Sequence, residues 1–84
     1  MDLENKFLKA SKEIKTLSYL PNERDLLILY GLYKQSTIGD INKPKPKFWE
    51  TKQIKKWNSW NSFKSLSKDK AMEKYINLVN SLKK

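Results

Sequence analysis

The sequence contains no cysteine and no histidine, only two glycines and three prolines, and one arginine among its basic residues. Without cysteine there are no disulfides and no thiolate metal sites. Without histidine, zinc sites built on Cys and His are excluded, as are triads that use imidazole as the base. Long apolar runs are missing too. The longest, Leu26 to Tyr33 with Gly31 inside it, covers eight residues, whereas a membrane span needs about 20. The polar start, Met1-Asp2-Leu3-Glu4-Asn5-Lys6, lacks the basic segment and apolar stretch of a secretory signal. A soluble, cytoplasmic protein is the expectation. Carboxylates are few and scattered and no nucleophile has an evident base beside it, so no enzyme, metal site or cofactor is expected.

What the chain has is lysine, aromatics and helical periodicity. Its 84 residues make one small domain, residues 1–84, whose thin core buries only roughly 60% of the surface the unfolded chain exposes. A groove between helices fits such a domain; a cleft between domains does not. The net charge is +9 and it is unevenly placed. Residues 1–25 balance Lys6, Lys9, Lys12, Lys15 and Arg24 against Asp2, Glu4, Glu13, Glu23 and Asp25. All the excess therefore lies in residues 26–84, where the acids are Asp40, Glu50, Asp69 and Glu73. A one-sided positive field attracts phosphates on a small ligand, a nucleic acid or a membrane. A merely solvated lysine-rich surface is the plainer reading of the same composition.

Spacing predicts four helices. Leu3, Phe7, Ala10, Ile14 and Leu17 recur at steps of four and three, giving an amphipathic helix over about 3–18. Asn22 can cap a second helix with Glu23 and Asp25 in its positive first turn, running to about Ile38 and stopping near Gly39. This helix is apolar on more than one side, as expected of one that is central or borders a ligand as well as the core. Gly31 costs it about 1 kcal/mol relative to alanine, which close packing or close ligand approach would explain. Pro44 and Pro46 rule out helix in the long connection 39–51, and Phe48 and Trp49 are expected to pin that connection to the bundle. Thr51 is placed as the cap of a third helix over about 52–65. Ser67 caps a fourth, whose stripe is Met72, Tyr75, Ile76, Val79 and Leu82.

Two constellations could carry chemistry. Tyr30, Tyr33 and Lys34 stand at i, i+3 and i+4 and share one helical face. Lys56 precedes Trp57, with Trp60 three residues on. Each has a structural alternative: the tyrosines pack in the core while Lys34 snorkels outward, and the tryptophans are core anchors with Lys55 and Lys56 simply exposed. Tyr75 reads by default as a packed tyrosine, Lys15 as an amphipathic-edge lysine, and Asp40 as a turn residue beside Gly39. On the functional side, aromatic faces beside ammonium groups suit a ligand that carries both a flat ring and phosphates.

From Phe7 through Leu82, without a gap, the chain resembles the acyl-CoA-binding protein family. The resemblance is carried by Tyr30-Gly31-Leu32-Tyr33-Lys34-Gln35, Gly39-Asp40-Ile41-Asn42, Lys56-Trp57 with Trp60-Asn61, and Ala71-Met72 with Tyr75-Ile76. It implies an all-α four-helix bundle shaped as a bowl, with a long loop between helices 2 and 3. The rim would hold the CoA head group while the acyl chain lies inside. It further implies that Tyr30, Lys34 and Lys56 gather around the ribose 3′-phosphate, that Tyr33 and Tyr75 border the adenine and its sugar, and that Lys15 reaches the phosphates. Leu26 and Leu27 would line the acyl path, with Gly31 and Leu32 completing the ligand-binding set. Three features depart from the family pattern. Leu32 stands where histidine is frequent, which would make that edge of the head-group site less polar. Leu20 stands where a lysine is familiar, and Lys43-Pro44-Lys45-Pro46-Lys47-Phe48-Trp49 is more basic and aromatic than the usual loop.

The function implied is that of a monomeric, non-catalytic carrier and pool former for medium- to long-chain acyl-CoA esters. Its cargo would pass to acyl-CoA-using enzymes and transiently to membrane surfaces, with no nucleic-acid partner. The alternative from a different class is a small basic helical nucleic-acid binder using lysines 43–56 and the nearby tryptophans, whose affinity would fall steeply with salt.

Overall fold

The computed structural model describes residues 2–83, which form four α-helices and no strand among them. Helix α1 spans Asp2–Glu13 and tightens into a 3₁₀ turn at Ile14–Thr16; α2 spans Glu23–Thr37, α3 Thr51–Ser62 and α4 Lys68–Leu82. The caps at Asn22 and Ser67 form as the sequence predicts. Asn22 Oδ1 accepts from the Asp25 backbone N–H at 2.8 Å, and Ser67 Oγ from that of Lys70 at 3.1 Å. Helix α2 ends with the Ile38 N–H donating to the Lys34 carbonyl, followed by Gly39 at φ 103°. That left-handed conformation is one glycine adopts without strain.

Three local expectations are corrected. Helix α1 stops at Glu13 and its 3₁₀ turn at Thr16 rather than near residue 18, with Leu17 already in extended backbone (φ −62°, ψ 143°). Thr51 is already helical; the capping position is Glu50, which makes no side-chain cap. Its Oε2 instead accepts from the Lys47 backbone N–H at 3.0 Å, closing the turn before the helix. Phe48 and Trp49 do not pin the connection: they are 82% and 62% exposed and stack edge-to-face on each other at 5.0 Å. The loop is held by indole N–H groups instead. Trp57 Nε1 donates to the Lys43 carbonyl and Trp60 Nε1 to the Gly39 carbonyl, both at 2.8 Å.

The core is built around α4, whose Ala71, Met72, Tyr75 and Val79 meet Phe7 and Ala10 of α1 and Leu29 and Leu32 of α2. Both α1 and α2 pack on α4, and α3 packs on α2. At the last of these contacts Gly31 is needed. A methyl group there would lie 2.6 Å from Ser59 Oγ, 2.8 Å from the Ser59 carbonyl oxygen and 2.9 Å from a Phe63 ring carbon. The result is a flat body, 36 × 29 × 14 Å across its Cα atoms, in which α1 and α2 lie side by side on α4 without packing closely on each other.

Candidate functional site

The gap between α1 and α2 is a groove of about 320 Å³. Helix α1 and its 3₁₀ turn supply Ser11, Ile14 and Lys15; α2 supplies Leu26, Leu29, Tyr30 and Tyr33; Tyr75 of α4 forms the floor. The steps from Leu26 to Tyr30 and from Tyr30 to Tyr33 are four and three, so helical geometry alone lines these α2 side chains along one stripe. Ile14, Lys15 and Leu26 also border a second hollow of about 470 Å³, which the linker residues Leu17, Tyr19, Leu20 and Pro21 extend. The Tyr19 hydroxyl donates to the Leu82 carbonyl at 2.6 Å and fixes that linker to the end of α4. Together the two hollows make one apolar trough.

At the opposite end, Tyr30 is shared with a smaller cavity of about 140 Å³ formed with Lys56, Trp57, Trp60, Gln53 and the loop residues Lys43, Pro44 and Pro46. Two ammonium groups approach the Tyr30 ring: Lys56 Nζ at 5.5 Å and Lys34 Nζ at 5.9 Å from its centroid. Lys34 Nζ also lies 5.7 Å from the Trp60 ring. These are cation–π distances, and they leave ammonium donors free for an anion at the rim. The expected cluster of Tyr30, Lys34 and Lys56 is thus assembled. Tyr33 and Tyr75 stand 6.2 Å apart by ring centroid and both pack on Phe7, at 5.6 and 5.0 Å. Tyr33 is 41% exposed and offers a ring to solvent, whereas Tyr75 is buried.

The structure does not bring every expected residue to the groove. Gly31 faces α3, one third of a turn away, for the packing reason given above. Leu32 is 2% exposed inside the α1–α2–α4 core, so the apolar residue at this position fills the interior rather than altering the polarity of a rim. Leu27 opens on the α2–α3 side, beside Lys55 and Ser59, and its carbonyl accepts a hydrogen bond from Ser59 Oγ.

Residues 4–79 match the family model described as Acyl CoA binding protein. The acyl-CoA-binding protein of Gossypium hirsutum is 39% identical over 82 residues, covering 98% of this chain and 92% of its own length. The crystal structure of Oryza sativa acyl-CoA-binding protein 2 superposes with a TM-score of 0.94 at 36% identity, over 98% of this chain and 89% of that one. The crystal structure of the Moniliophthora perniciosa protein gives a TM-score of 0.89 at 29% identity, covering 94% of this chain and 78% of the other.

This chain belongs to the acyl-CoA-binding protein family. In this member the rim is braced by residues that carry no ligand chemistry. Buried Gln35 donates through Nε2 to Asp40 Oδ1 at 2.9 Å and to the Leu66 carbonyl at 2.8 Å. Asp40 Oδ1 also accepts from the Ser65 backbone N–H at 2.7 Å, where Ser65 sits at φ 76°. These bonds from Gln35 and Ser65 hold the Asp40 carboxyl below its ordinary titration range, against a smaller opposing effect of desolvation. Asp40 therefore locks the end of α2 to the α3–α4 connection, consistent with a turn role. Burial pushes the Tyr75 phenol above its ordinary range, with the neighbouring Tyr33 adding to it, so Tyr75 enters the trough as a neutral hydrogen-bonding group. Sequence reading missed Ser11, Ile14 and Leu29 as lining residues, and Lys43 and Gln53 at the rim. For Ile14 and Leu29, the amphipathic pattern reports only that a residue faces inward, toward core and groove alike, and Ser11 is polar and lies off the apolar stripe. Lys43 lies in an irregular loop whose path no periodicity predicts.

Proposed function

We propose that this family member binds medium- to long-chain acyl-CoA thioesters as cargo and acts as a non-catalytic, monomeric, cytoplasmic carrier and pool former. The observation that carries the reading is one side chain, Tyr30, that belongs at once to a lysine-bearing aromatic rim and to an apolar trough. In this reading Lys34 and Lys56 hold the ribose 3′-phosphate against Tyr30. The exposed Tyr33 ring stacks on the adenine, with the Tyr75 hydroxyl beneath, and Lys15 neutralises the diphosphate where it crosses from rim to trough. Stacking on a ring face and charge-assisted hydrogen bonds are the interactions such a head group demands. The acyl chain follows Leu26 toward Leu17 and Leu20, and Leu27, which faces α3, serves the path only where the chain crosses α2.

Magnitudes divide the work. At about 0.8 kcal/mol per buried methylene, a sixteen-carbon tail contributes on the order of 10 kcal/mol before the costs of association. A hydrogen bond to a charged partner contributes about 1.5–3 kcal/mol. The head group therefore selects the ligand and the tail supplies most of the affinity. Cargo exchange with acyl-CoA-using enzymes and at membrane surfaces follows from the carrier role.

Calorimetric titration with acyl-CoAs of graded length, free CoA and single-stranded DNA tests the proposal. Affinity should rise with tail length and be far weaker for free CoA; equal affinity for ester and free CoA contradicts it. Tyr30→Ala and Lys56→Ala should each weaken ester binding by about tenfold or more with little change in unfolding temperature, and unaltered titration curves for both would remove the assigned site. The nucleic-acid alternative loses Trp60, which is buried, and retains beside lysines 43–56 only the loop aromatics Phe48 and Trp49 as exposed rings, while the family match favours the acyl-CoA reading.

A further inference from the structure

The segment between α2 and α3 ends in two aromatic side chains that the fold leaves outside. Phe48 is 82% and Trp49 62% exposed, although the segment around them is well tied. The Lys43 carbonyl is held by the Trp57 indole, the Lys47 N–H by Glu50 Oε2, and the Lys47 carbonyl by the Glu50 N–H at 2.8 Å. A loop this constrained presents its aromatic tip persistently, and two contiguous exposed rings on a small protein mark an interaction surface. Lys43, Lys45, Lys47 and Lys52 flank that tip in sequence, all exposed, and Lys47 Nζ lies 5.4 Å from the Trp49 centroid. Glu50, the residue that follows the tip, is engaged with the Lys47 backbone.

We infer that the Phe48–Trp49 tip with its flanking lysines is a docking surface for an anionic lipid bilayer, on which the protein loads and unloads its ligand. The inference rests on the carrier reading for its purpose, but not for its test. Aromatic rings settle at the level of the lipid head groups, and lysines beside them are drawn to anionic lipid. Either signal alone gives weak attachment, and the two together give a usable one. The placement suits the purpose. Lys43, Pro44 and Pro46, immediately before the tip, are walls of the rim cavity that holds Lys56 and Tyr30, so a docked tip sets the rim at the membrane surface. A nucleic acid fits the same patch less well. Stacking needs open ring faces, and these two rings are engaged edge-to-face with each other at 5.0 Å while Lys47 Nζ lies 5.4 Å from the Trp49 centroid, whereas insertion among lipid head groups needs no free face.

The test is flotation of the ligand-free protein with phosphatidylcholine vesicles, with and without phosphatidylserine, at low and high salt. Wild type should float with the anionic vesicles and be released by salt. Phe48→Ser/Trp49→Ser should lose about tenfold or more of that binding, and Lys47→Gln about fivefold. Circular dichroism and the acyl-CoA titration should be unchanged in the double variant, whose side chains touch neither cavity. Bromine-labelled lipid should quench wild-type tryptophan emission, and Trp49→Phe should abolish that quenching. Equal flotation of wild type and double variant overturns the inference, as does equal binding to neutral and anionic vesicles, or tighter retention on a single-stranded oligonucleotide than on the anionic vesicles. If the wild-type acyl-CoA titration itself fails, the carrier reading falls while the flotation result stands.

Discussion

Gly31→Ala separates the two explanations of a glycine in the middle of α2. By helix propensity alone alanine is better by about 1 kcal/mol. The added methyl group, however, would sit within 3 Å of three atoms, at 2.6 Å from Ser59 Oγ, 2.8 Å from the Ser59 carbonyl oxygen and 2.9 Å from Phe63 Cε2. The hydroxyl can swing away, but doing so forfeits its bond to the Leu27 carbonyl, worth about 1 kcal/mol. The carbonyl oxygen is backbone and moves only with α3, and such overpacking costs about 1–3 kcal/mol. The sum is a destabilisation of about 1–3 kcal/mol, and at about 4–8 °C per kcal/mol for a domain this size the midpoint should fall by at least about 4 °C. Thermal unfolding followed by far-ultraviolet circular dichroism measures it, alongside acyl-CoA titration of the folded variant. An unchanged or raised midpoint refutes the packing argument. A loss of affinity at an unchanged midpoint would assign the glycine to ligand approach instead.

Asp40 has a lowered folded-state pKa, so its contribution is fully present above the ordinary carboxylate value and disappears as pH falls through the lower folded value. Denaturant titrations at descending pH should show Asp40→Asn losing less stability over that acidic window than wild type; parallel profiles would remove the carboxylate from its bracing role. Tyr75 has a raised folded-state pKa, so the unfolded chain ionises first as pH rises. Stability should therefore decline above about pH 10, and Tyr75→Phe should flatten that decline, which an identical alkaline profile would contradict. Leu26→Ser should reduce affinity for long-chain esters by about tenfold while leaving free CoA unaffected, whereas Leu27→Ser should have the smaller effect on tail-dependent affinity. The reverse order in calorimetry would move the acyl path to the α2–α3 side.

Much of this was legible in one sequence. Period-3.6 apolar stripes found four helices, since an amphipathic helix must repeat its buried face whatever it packs against. Asn22 and Ser67 announced helix starts because their side chains satisfy backbone donors locally, needing no partner from elsewhere. Tyr30, Tyr33 and Lys34 were placed on one stripe by the same local geometry, and family resemblance tied them to Lys56, a residue in another helix.

Other features depend on contacts distant in sequence. Spacing could not say that Leu32 fills the core while Tyr33, its neighbour, borders the groove, because both directions look inward from α2 and only the positions of α1 and α4 distinguish them. Nor could aromatic content show that Phe48 and Trp49 stay outside while Trp57 and Trp60 bind the loop: which ring is buried depends on where α3 lies against α2, a separation set by Gly31 and Ser59. Sequence by itself determined the four helices, the caps at Asn22 and Ser67 and the charge, because those follow from neighbours within a turn or two of the chain. Only the tertiary structure decided that two helices resting on a third leave an apolar trough between them, and that one tyrosine joins it to a lysine rim. Those are properties of surfaces meeting across the chain, where a shift in one helix decides whether a side chain is packed, lining or exposed.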